Sequence, residues 1–279
     1  MQWGKLEMEC SETGVVPNGR IKRQVYVNIP FSMLMDSYLD SFVQHGLNAE
    51  IGLDAEALDS ISPDRFKAIH EKLVEADLRV TIHSPFIDLS AGSPDHAIRE
   101  VTRRRFEQVM GVARILSPQV VVCHAGYDEK RYGFIREVWL RNSIDTWKWM
   151  AEGLAEEGIT LTLENVHEER PEYLLPLFEE LEDLGVKFCF DTGHQAAFGK
   201  ASIHEWLSCL GGFLGQLHLH DNNGGRDEHL GLGCGTIDFT ALFDWLRKRR
   251  GEPPVITLEP HRKEDLWPSL KWLEQNWPW

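Results

Sequence analysis

The sequence predicts an α/β fold, namely a single-domain (β/α)8 TIM barrel with a short N-terminal extension. Strand-like and helix-like patterns alternate along nearly the whole chain, eight units of this alternation can be counted, and no linker or low-complexity tract interrupts them. Strict alternation indicates a parallel sheet, and eight units are typical of a closed barrel. A chain of 279 residues commonly forms one domain in a barrel of this kind.

Residues 1–24 precede the first unit, and we expect this N-terminal extension to cover the floor of the barrel. The dipeptide Asn18-Gly19 is typical of a hairpin turn, so a β-hairpin is predicted there. Residues 25–279 are predicted to form the barrel domain. The eight predicted strands are residues 25–30, 49–53, 79–85, 119–125, 160–166, 186–191, 215–221 and 255–260.

Each predicted helix follows its strand after a short or moderate loop. Ser62 before Pro63, and Asp238 after a glycine-rich loop, are typical helix entries. The competing fold, an open sheet with a dinucleotide site, would need a G-x-G-x-x-G motif after the first strand, and none is present there. The predicted helices cover residues 34–45, 62–76, 95–116, 133–157, 171–184, 201–211, 238–249 and 263–275.

The predicted strands have one apolar face and one more polar face. Side chains two residues apart on a strand point to the same side. In residues 159–164 the even positions are polar and end in Glu164, whereas the odd positions are aliphatic. In residues 186–191, Asp191 shares a face with Lys187 and Cys189. The polar faces are therefore predicted to point towards something enclosed by the barrel.

Six successive strands end in a side chain that can bind a metal ion. In a barrel, the carboxyl ends of the strands form the reactive mouth, and three loop residues add further donors there. Several carboxylates in one pocket would repel each other unless cations were present, and imidazole mixed with carboxylate suits a divalent transition metal better than calcium. The strand-end donors are His83, His124, Glu164, Asp191, His218 and Glu259; the loop donors are His194, Asp227 and His229.

A simpler interpretation exists for each donor taken alone. A single strand-end histidine is more often a hydrogen-bonded core residue than a ligand, and the segment that begins at Asp191 could be only a turn. Glu164 and Glu259 are harder to explain in this way, because an ionised carboxylate at the end of an apolar strand needs a partner. The joint pattern therefore favours a site for a divalent transition metal such as Zn, Mn, Fe or Co.

The amino-acid composition indicates which classes of binding partner and which cellular compartment to expect. The net charge of −15 disfavours general affinity for nucleic acids or anionic membranes, although it does not exclude a local basic rim. No run is long enough to cross a membrane, and residues 1–7 lack the apolar core of a secretory signal. The five cysteines are widely spaced and include no C-x-x-C pair. A cytoplasmic protein with free thiols is therefore predicted.

The motifs at the strand ends resemble those of the xylose isomerase-like TIM-barrel superfamily, which contains sugar and sugar phosphate isomerases, epimerases and endonuclease IV. The resemblance covers roughly residues 25–262 and implies a divalent metal cofactor at the mouth of the barrel, with one to three ions of Mn, Zn, Co or Mg. The motifs that carry it are His83-Ser84-Pro85-Phe86, Cys123-His124-Ala125-Gly126, Leu163-Glu164-Asn165, Asp191-Thr192-Gly193-His194, His218-Leu219-His220-Asp221-Asn222 and Asp227-Glu228-His229-Leu230-Gly231.

For the isomerase and epimerase branch, the resemblance implies a central metal held by Glu164, Asp191, His218 and Glu259. A sugar or related hydroxy-ketone would bind there and react by proton transfer through an enediolate. The two catalytic residues would be Glu164 and Glu259, which remove and return protons. The side chains expected to bind the substrate are His167, His194, His220 and Arg226.

For the endonuclease branch, the resemblance implies three zinc ions and hydrolysis of a phosphodiester in abasic DNA. His83 and His124 would share one ion with Glu164, and His194, Asp227 and His229 would hold another. A third reading is an inactive barrel that serves as a metal-bound binding module. We favour a small-molecule substrate because the chain is acidic and has few basic residues at the mouth. Nucleic acid remains the alternative partner.

Tryptophans in the fourth predicted helix suggest a contact between subunits. Trp139, Trp147 and Trp149 cannot all face one core at helical spacing. An exposed aromatic patch would favour a homo-oligomer.

Overall fold

The structure, a computed structural model, describes residues 19–279. Its eight strands are all parallel and close into a barrel in the order β1 to β8. The predicted (β/α)8 fold is confirmed. The strands are β1 Val25–Pro30, β2 Asn48–Gly52, β3 Val80–His83, β4 Val120–His124, β5 Thr160–Glu164, β6 Lys187–Asp191, β7 Leu214–Leu219 and β8 Val255–Leu258.

Helices surround the barrel and connect successive strands. Leu34–Tyr38 is a π-helical turn, and 3-10 turns occur at Gly133–Ile135, Pro171–Tyr173, Glu182–Leu184, Gly211–Phe213 and Lys263–Asp265. The α-helices are α1 Gly19–Gln24, α2 Phe31–Met33, α3 Leu39–His45, α4 Ala55–Ser60, α5 Pro63–Glu75, α6 His96–Leu116, α7 Glu129–Tyr132, α8 Arg136–Ala155, α9 Leu175–Leu181, α10 Thr192–Phe198, α11 Ile203–Leu210, α12 Phe239–Lys248 and α13 Leu266–Asn276.

The predicted N-terminal hairpin does not continue into the described residues. Residues 1–18, including Asn18 of the expected turn, lie outside them, and the chain is helical from Gly19. Ile21 of α1 is buried. The carbonyl groups at the end of α1 are satisfied by the side-chain amide of Asn48, which donates to the carbonyl oxygens of Lys22 at 3.4 Å and Arg23 at 3.2 Å. This long-range cap could not be read from the local sequence.

The apolar core lies between the outer faces of the strands and the helices. Trp139 and Trp147 of α8 are both buried there, with exposed fractions of 0% and 1%. They lie eight residues apart and so share a helix face, whereas Trp149 points elsewhere and packs against the guanidinium of Arg103. As predicted, the three tryptophans do not share one buried face; because Trp139 and Trp147 are core residues, only Trp149 is left for the suggested contact between subunits, which stays a prediction.

The inside of the barrel is polar. Thr162 of β5 donates a hydrogen bond to Gln216 of β7 at 2.8 Å, and Thr81 of β3 donates to Glu50 of β2 at 2.9 Å. Thr162, Gln216 and Thr81 lie two positions before the predicted metal donors Glu164, His218 and His83 on their own strands, and Glu50 lies on the neighbouring strand β2. The polar strand faces predicted from parity therefore line the interior and lead up to the mouth.

Candidate metal centre

The predicted strand-end donors meet at one rim of the barrel. His83, His124, Glu164 and Asp191 are the last residues of their strands. The strand register pairs His124 with Glu164, and Asp191 with His218. Glu259 directly follows β8. Because parallel strands in register end at the same level, their side chains can reach one another.

Four donors form a central group around one ring nitrogen. The Nδ1 atom of His218 lies 3.1 Å from Oε1 of Glu259, 3.4 Å from Oε2 of Glu164 and 4.0 Å from Oδ2 of Asp191. Glu164, Asp191 and His218 are fully buried, and Glu259 is 9% exposed. This group is the set proposed to hold the central metal.

A second group shares Glu164. Its Oε2 atom lies 3.3 Å from Nε2 of His83 and 3.8 Å from Nε2 of His124. The two imidazole rings lie edge to face, with centroids 5.1 Å apart. The exposed ring of Phe86 stacks on His124 at 4.3 Å and covers this group from the outside.

A third group lies on the loops. The Oδ2 atom of Asp227 is 3.1 Å from Nε2 of His229 and 3.5 Å from Nε2 of His194. His194 also contacts the central group, since its Nδ1 lies 3.0 Å from Oε1 of Glu164. Asp191 caps α10 by accepting a hydrogen bond from the His194 backbone at 2.5 Å, which places the His194 ring at the mouth.

Two of the donor histidines, His83 and His229, place one ring nitrogen against a backbone carbonyl oxygen. Nδ1 of His83 lies 2.9 Å from the carbonyl oxygen of Ser84, and Nδ1 of His229 lies 3.0 Å from that of Glu259. A carbonyl can only accept, so these nitrogens carry protons. In the neutral rings, the opposite nitrogens then present lone pairs towards the donors, which is the arrangement of metal-binding histidines.

Several buried polar atoms at the mouth have no hydrogen bond. They include both carboxylate oxygens of Glu164, Nδ1 of His218 and Oδ1 of Asp227. Buried polar atoms are nearly always satisfied, and an unpaired buried carboxylate is costly. A bound cation would satisfy these atoms, so the donor set fits a divalent metal. Mixed imidazole and carboxylate ligands suit Zn, Mn or Co.

The ionisable side chains at the mouth shift one another's pKa values. Burial would raise the pKa of Glu164, but nearby imidazoles, above all His218, hold the pKa well below the usual range. Burial opposes protonation of His194, yet surrounding carboxylates, Asp191 most strongly, raise its pKa well above the usual value. Burial lowers the pKa of His124 to about 3, so this ring is neutral with an available lone pair.

A family model described as xylose isomerase-like TIM barrel matches residues 47–276. The chain belongs to this family. The xylose isomerase-like barrel is 28% identical over 249 residues to the protein MJ1311 of Methanocaldococcus jannaschii, covering 86% of this chain and 84% of that protein. It is 26% identical over 204 residues to a probable endonuclease 4 of Mycobacterium leprae, covering 68% of this chain and 77% of the relative.

Solved structures with the same fold include two that are 26% identical to this xylose isomerase-like barrel. A D-tagatose 3-epimerase-like protein superposes with a TM-score of 0.78, covering 91% of this chain and 96% of that one. The TTHB071 protein of Thermus thermophilus, soaked with ZnCl2, superposes with a TM-score of 0.75, covering 91% of this chain and 98% of that one.

The residues predicted to bind substrate occupy different places in this xylose isomerase-like barrel. His194 belongs to the third group of donors. His220 is buried, contacts Asp191 through Nε2 at 3.2 Å and stacks on His229 at 3.7 Å. His167 and Arg226 are exposed on loops and make none of the donor contacts described above.

Sequence reasoning missed Glu50. It is fully buried in β2, its Oε1 lies 3.1 Å from Nε2 of His218, and its pKa is about 2 because His218 and hydrogen-bond donors outweigh the effect of burial. The signal was present: an acidic residue stands between Ala49 and Ile51 in an otherwise ordinary strand. Glu50 lies in the middle of β2 and not at its carboxyl end, so the strand-end pattern did not include it.

Gly193 leaves room for the ring of His220. A Cβ at this position would overlap the His220 imidazole, whereas a Cβ at Gly111 in α6 would meet nothing within 4 Å. We expect Gly193→Ala to destabilise the protein by about 1–3 kcal/mol through overpacking. Gly111→Ala, the matched control, should stabilise it by about 0.5–1 kcal/mol. Urea unfolding measures both, and equal effects would contradict the close packing at Gly193.

Proposed function

We propose that the protein is a divalent-metal-dependent isomerase or epimerase that acts on a sugar or related hydroxy-ketone. The main supporting observation is the position of two carboxylates. Those of Glu164, from β5, and Glu259, from the end of β8, approach the same ring nitrogen of His218 at 3.4 and 3.1 Å. These strands lie three apart around the barrel. The two carboxylates therefore reach the centre from different directions.

This geometry suits proton transfer at a carbon next to a carbonyl. When bound, a divalent cation would polarise the carbonyl and hydroxyl oxygens of the substrate and so acidify that carbon. One glutamate then accepts the proton from carbon, and a carboxyl group returns a proton to the carbon skeleton. Return to the same carbon from the opposite face produces an epimer, whereas return to the neighbouring carbonyl carbon, with transfer of the hydroxyl proton of the first carbon to the carbonyl oxygen, produces an isomer.

The remaining residues are proposed to bind and orient the substrate. His167 and Arg226 lie on exposed mouth loops, where their side chains are available to substrate hydroxyl groups. His194 has the same proposed role at the edge of the third donor group. His220 is 1% exposed and contacts Asp191, so it is proposed to act through that carboxylate.

The relatives and the charge support a small-molecule substrate. The D-tagatose 3-epimerase-like protein matches over 91% of this chain at 26% identity. The net charge of −15 disfavours a polyanionic substrate. Within residues 19–279, no helix combines the length and apolar character needed to cross a membrane. We also propose a cytoplasmic location, supported by four free cysteines among the described residues.

A second candidate is hydrolysis of a phosphodiester in abasic DNA. The observation that favours it is the presence of two donor groups beyond the central one, which together could hold three ions. Clusters of metal ions stabilise both the attacking and the leaving oxygen in phosphoryl transfer. The probable endonuclease 4 from Mycobacterium leprae at 26% identity and the zinc-soaked TTHB071 structure are consistent with it.

Metal content and two activity assays distinguish the candidates. The purified protein should be analysed for metals per chain, then tested for exchange of carbon-bound protons with deuterated water on a panel of ketoses. Cleavage of an abasic duplex is measured in parallel. We expect one tightly bound ion and ketose exchange. About three zinc ions with duplex cleavage and no exchange would instead establish the second candidate, and a protein that binds no divalent metal would contradict both.

A further inference from the structure

A carboxylate lies deeper in the barrel than the metal donors. Glu50 is 0% exposed and pairs in the sheet with Thr81, two residues before His83. Oε2 of Glu50 accepts hydrogen bonds from Thr81 at 2.9 Å, Gln216 at 2.7 Å and Thr257 at 2.9 Å. Oε1 accepts from the side-chain amide of Asn28 at 3.1 Å. Glu50 thus joins β1, β3, β7 and β8.

Glu50 also contacts a donor of the central group. Its Oε1 lies 3.1 Å from Nε2 of His218, whose other nitrogen, Nδ1, faces Glu259 and Glu164. At this distance Oε1 of Glu50 is placed to accept a hydrogen bond from a protonated Nε2 of His218, which leaves Nδ1 as the nitrogen that faces the mouth. The amide nitrogen of Gln216 lies 3.1 Å from Nε2 of the same ring and has two hydrogens; one is donated to Glu50 at 2.7 Å, and the hydroxyl oxygen of Thr257 at 3.4 Å is an acceptor for the other. A hydrogen bond from a ring N–H to a charged carboxylate is stronger than one to a neutral group, so Glu50 is the favoured partner of Nε2 of His218.

We propose that Glu50 is a positioning residue of the metal centre, which holds the His218 ring in place and keeps its Nδ1 lone pair directed at the mouth. The inference rests on the metal centre of the proposed function, but it holds for either of the two candidate reactions. Partners of this kind fix the orientation of a metal-binding histidine and increase its basicity. Glu50 has five contacts, and three of them share its Oε2 atom, so the loss of any one of these three leaves the carboxylate held by the other four.

A purely structural role is the competing explanation, because any buried carboxylate with several donors stabilises the fold. Two variants separate these roles. Glu50→Gln retains the size of the side chain but removes the charged acceptor of the His218 proton. Thr81→Val, the matched control, removes a neighbouring buried hydrogen bond to Glu50 at 2.9 Å and leaves the contact to His218 intact.

The experiment measures zinc affinity by competition with a chromophoric chelator, together with thermal unfolding of the metal-free proteins. For Glu50→Gln we expect about 10- to 100-fold weaker zinc binding at the tightest site. Thr81→Val should lose thermal stability to a comparable degree but bind zinc nearly as well as the wild type. Equal zinc affinity in wild type and Glu50→Gln, or equal losses in both variants, would overturn the proposal.

A second measurement needs no variant and remains decisive if Glu50→Gln fails to fold. In zinc-loaded wild-type protein labelled with 15N-histidine, we expect one slowly exchanging ring proton on Nε2 of His218, with zinc on Nδ1. Zinc on Nε2, or an unprotonated Nε2, would overturn the role of Glu50 while leaving the proposed function intact. A wild-type protein that binds no zinc or other divalent metal would overturn both, so the two failures are distinguishable.

Discussion

Replacing Glu259 with Gln is expected to abolish turnover while preserving the fold. An amide cannot accept a proton from carbon, and loss of a general base or acid typically lowers the rate about 10²- to 10⁴-fold. The side chain lies just beyond β8 at the mouth, 9% exposed, and its close contacts are with the rings of His218 at 3.1 Å and His229 at 3.8 Å. The substitution keeps its size, so the core packing is unaffected.

The measurement is kcat and KM for a responsive ketose, with circular dichroism melting of the same samples and metal content per chain. Glu169→Gln is the matched control, because Glu169 is a carboxylate of the β5 loop that pairs with Lys200 at 2.6 Å, away from the donor groups. A surface pair of this kind contributes little. The control should retain activity. Full activity in Glu259→Gln with normal metal content would remove Glu259 from the catalytic role.

Removing the metal is expected to eliminate activity and to lower the thermal stability. The carboxylates of Glu164, Asp191 and Glu259 lie around one imidazole nitrogen at 3.1 to 4.0 Å, so a cation would offset their mutual repulsion. A ligand present at 100 times its dissociation constant stabilises the native state by about 2.7 kcal/mol. The unfolding temperature should therefore fall by about 5–10 °C on dialysis against a chelator.

Lowering the pH is expected to weaken metal binding. Burial opposes protonation of His83 and His194, but neighbouring carboxylates outweigh it and raise the pKa of both above the usual value of 6.5 in the metal-free protein. These protons must leave before the rings bind a cation, so metal uptake releases protons. Metal affinity, and the stability that it adds, should decrease as the pH falls.

Calorimetric titration of the metal-free protein in buffers with different ionisation enthalpies counts the released protons. Differential scanning calorimetry with and without the chelator gives the shift in unfolding temperature. Readdition of Mn²⁺, Zn²⁺ or Co²⁺ should restore both stability and activity. An unchanged unfolding temperature together with full activity after complete metal removal would contradict the metal centre.

Local sequence patterns predicted most of the fold. The alternation in residues 159–164 located β5, which the structure places at Thr160–Glu164, and the pattern in residues 186–191 located β6 at Lys187–Asp191. These predictions succeeded because the period of two along a strand is a local property. The family resemblance was also confirmed, by the family model that matches residues 47–276.

Short elements were missed where a single capping residue starts a helix. The helix α4 begins after Asp54, whose carboxylate accepts from the backbone of Ala57 at 2.7 Å, and α10 begins after Asp191. Both helices have fewer than eight residues, which is too short for a hydrophobic period to show. Asp191 was predicted as a ligand but not as a helix cap, although the cap is what directs the His194 ring towards the mouth.

The sequence by itself determined the types of donor side chain, the strand that carries each and the face on which each lies, because side-chain direction alternates along a strand. The family resemblance implied which donors share a site, but only the tertiary structure showed how closely they approach and that Glu50 contacts the central group. The contact between Glu50 and His218, for example, joins β2 to β7 across the barrel. Such a contact depends on the order, register and closure of all eight strands, and these arise from packing of the whole barrel.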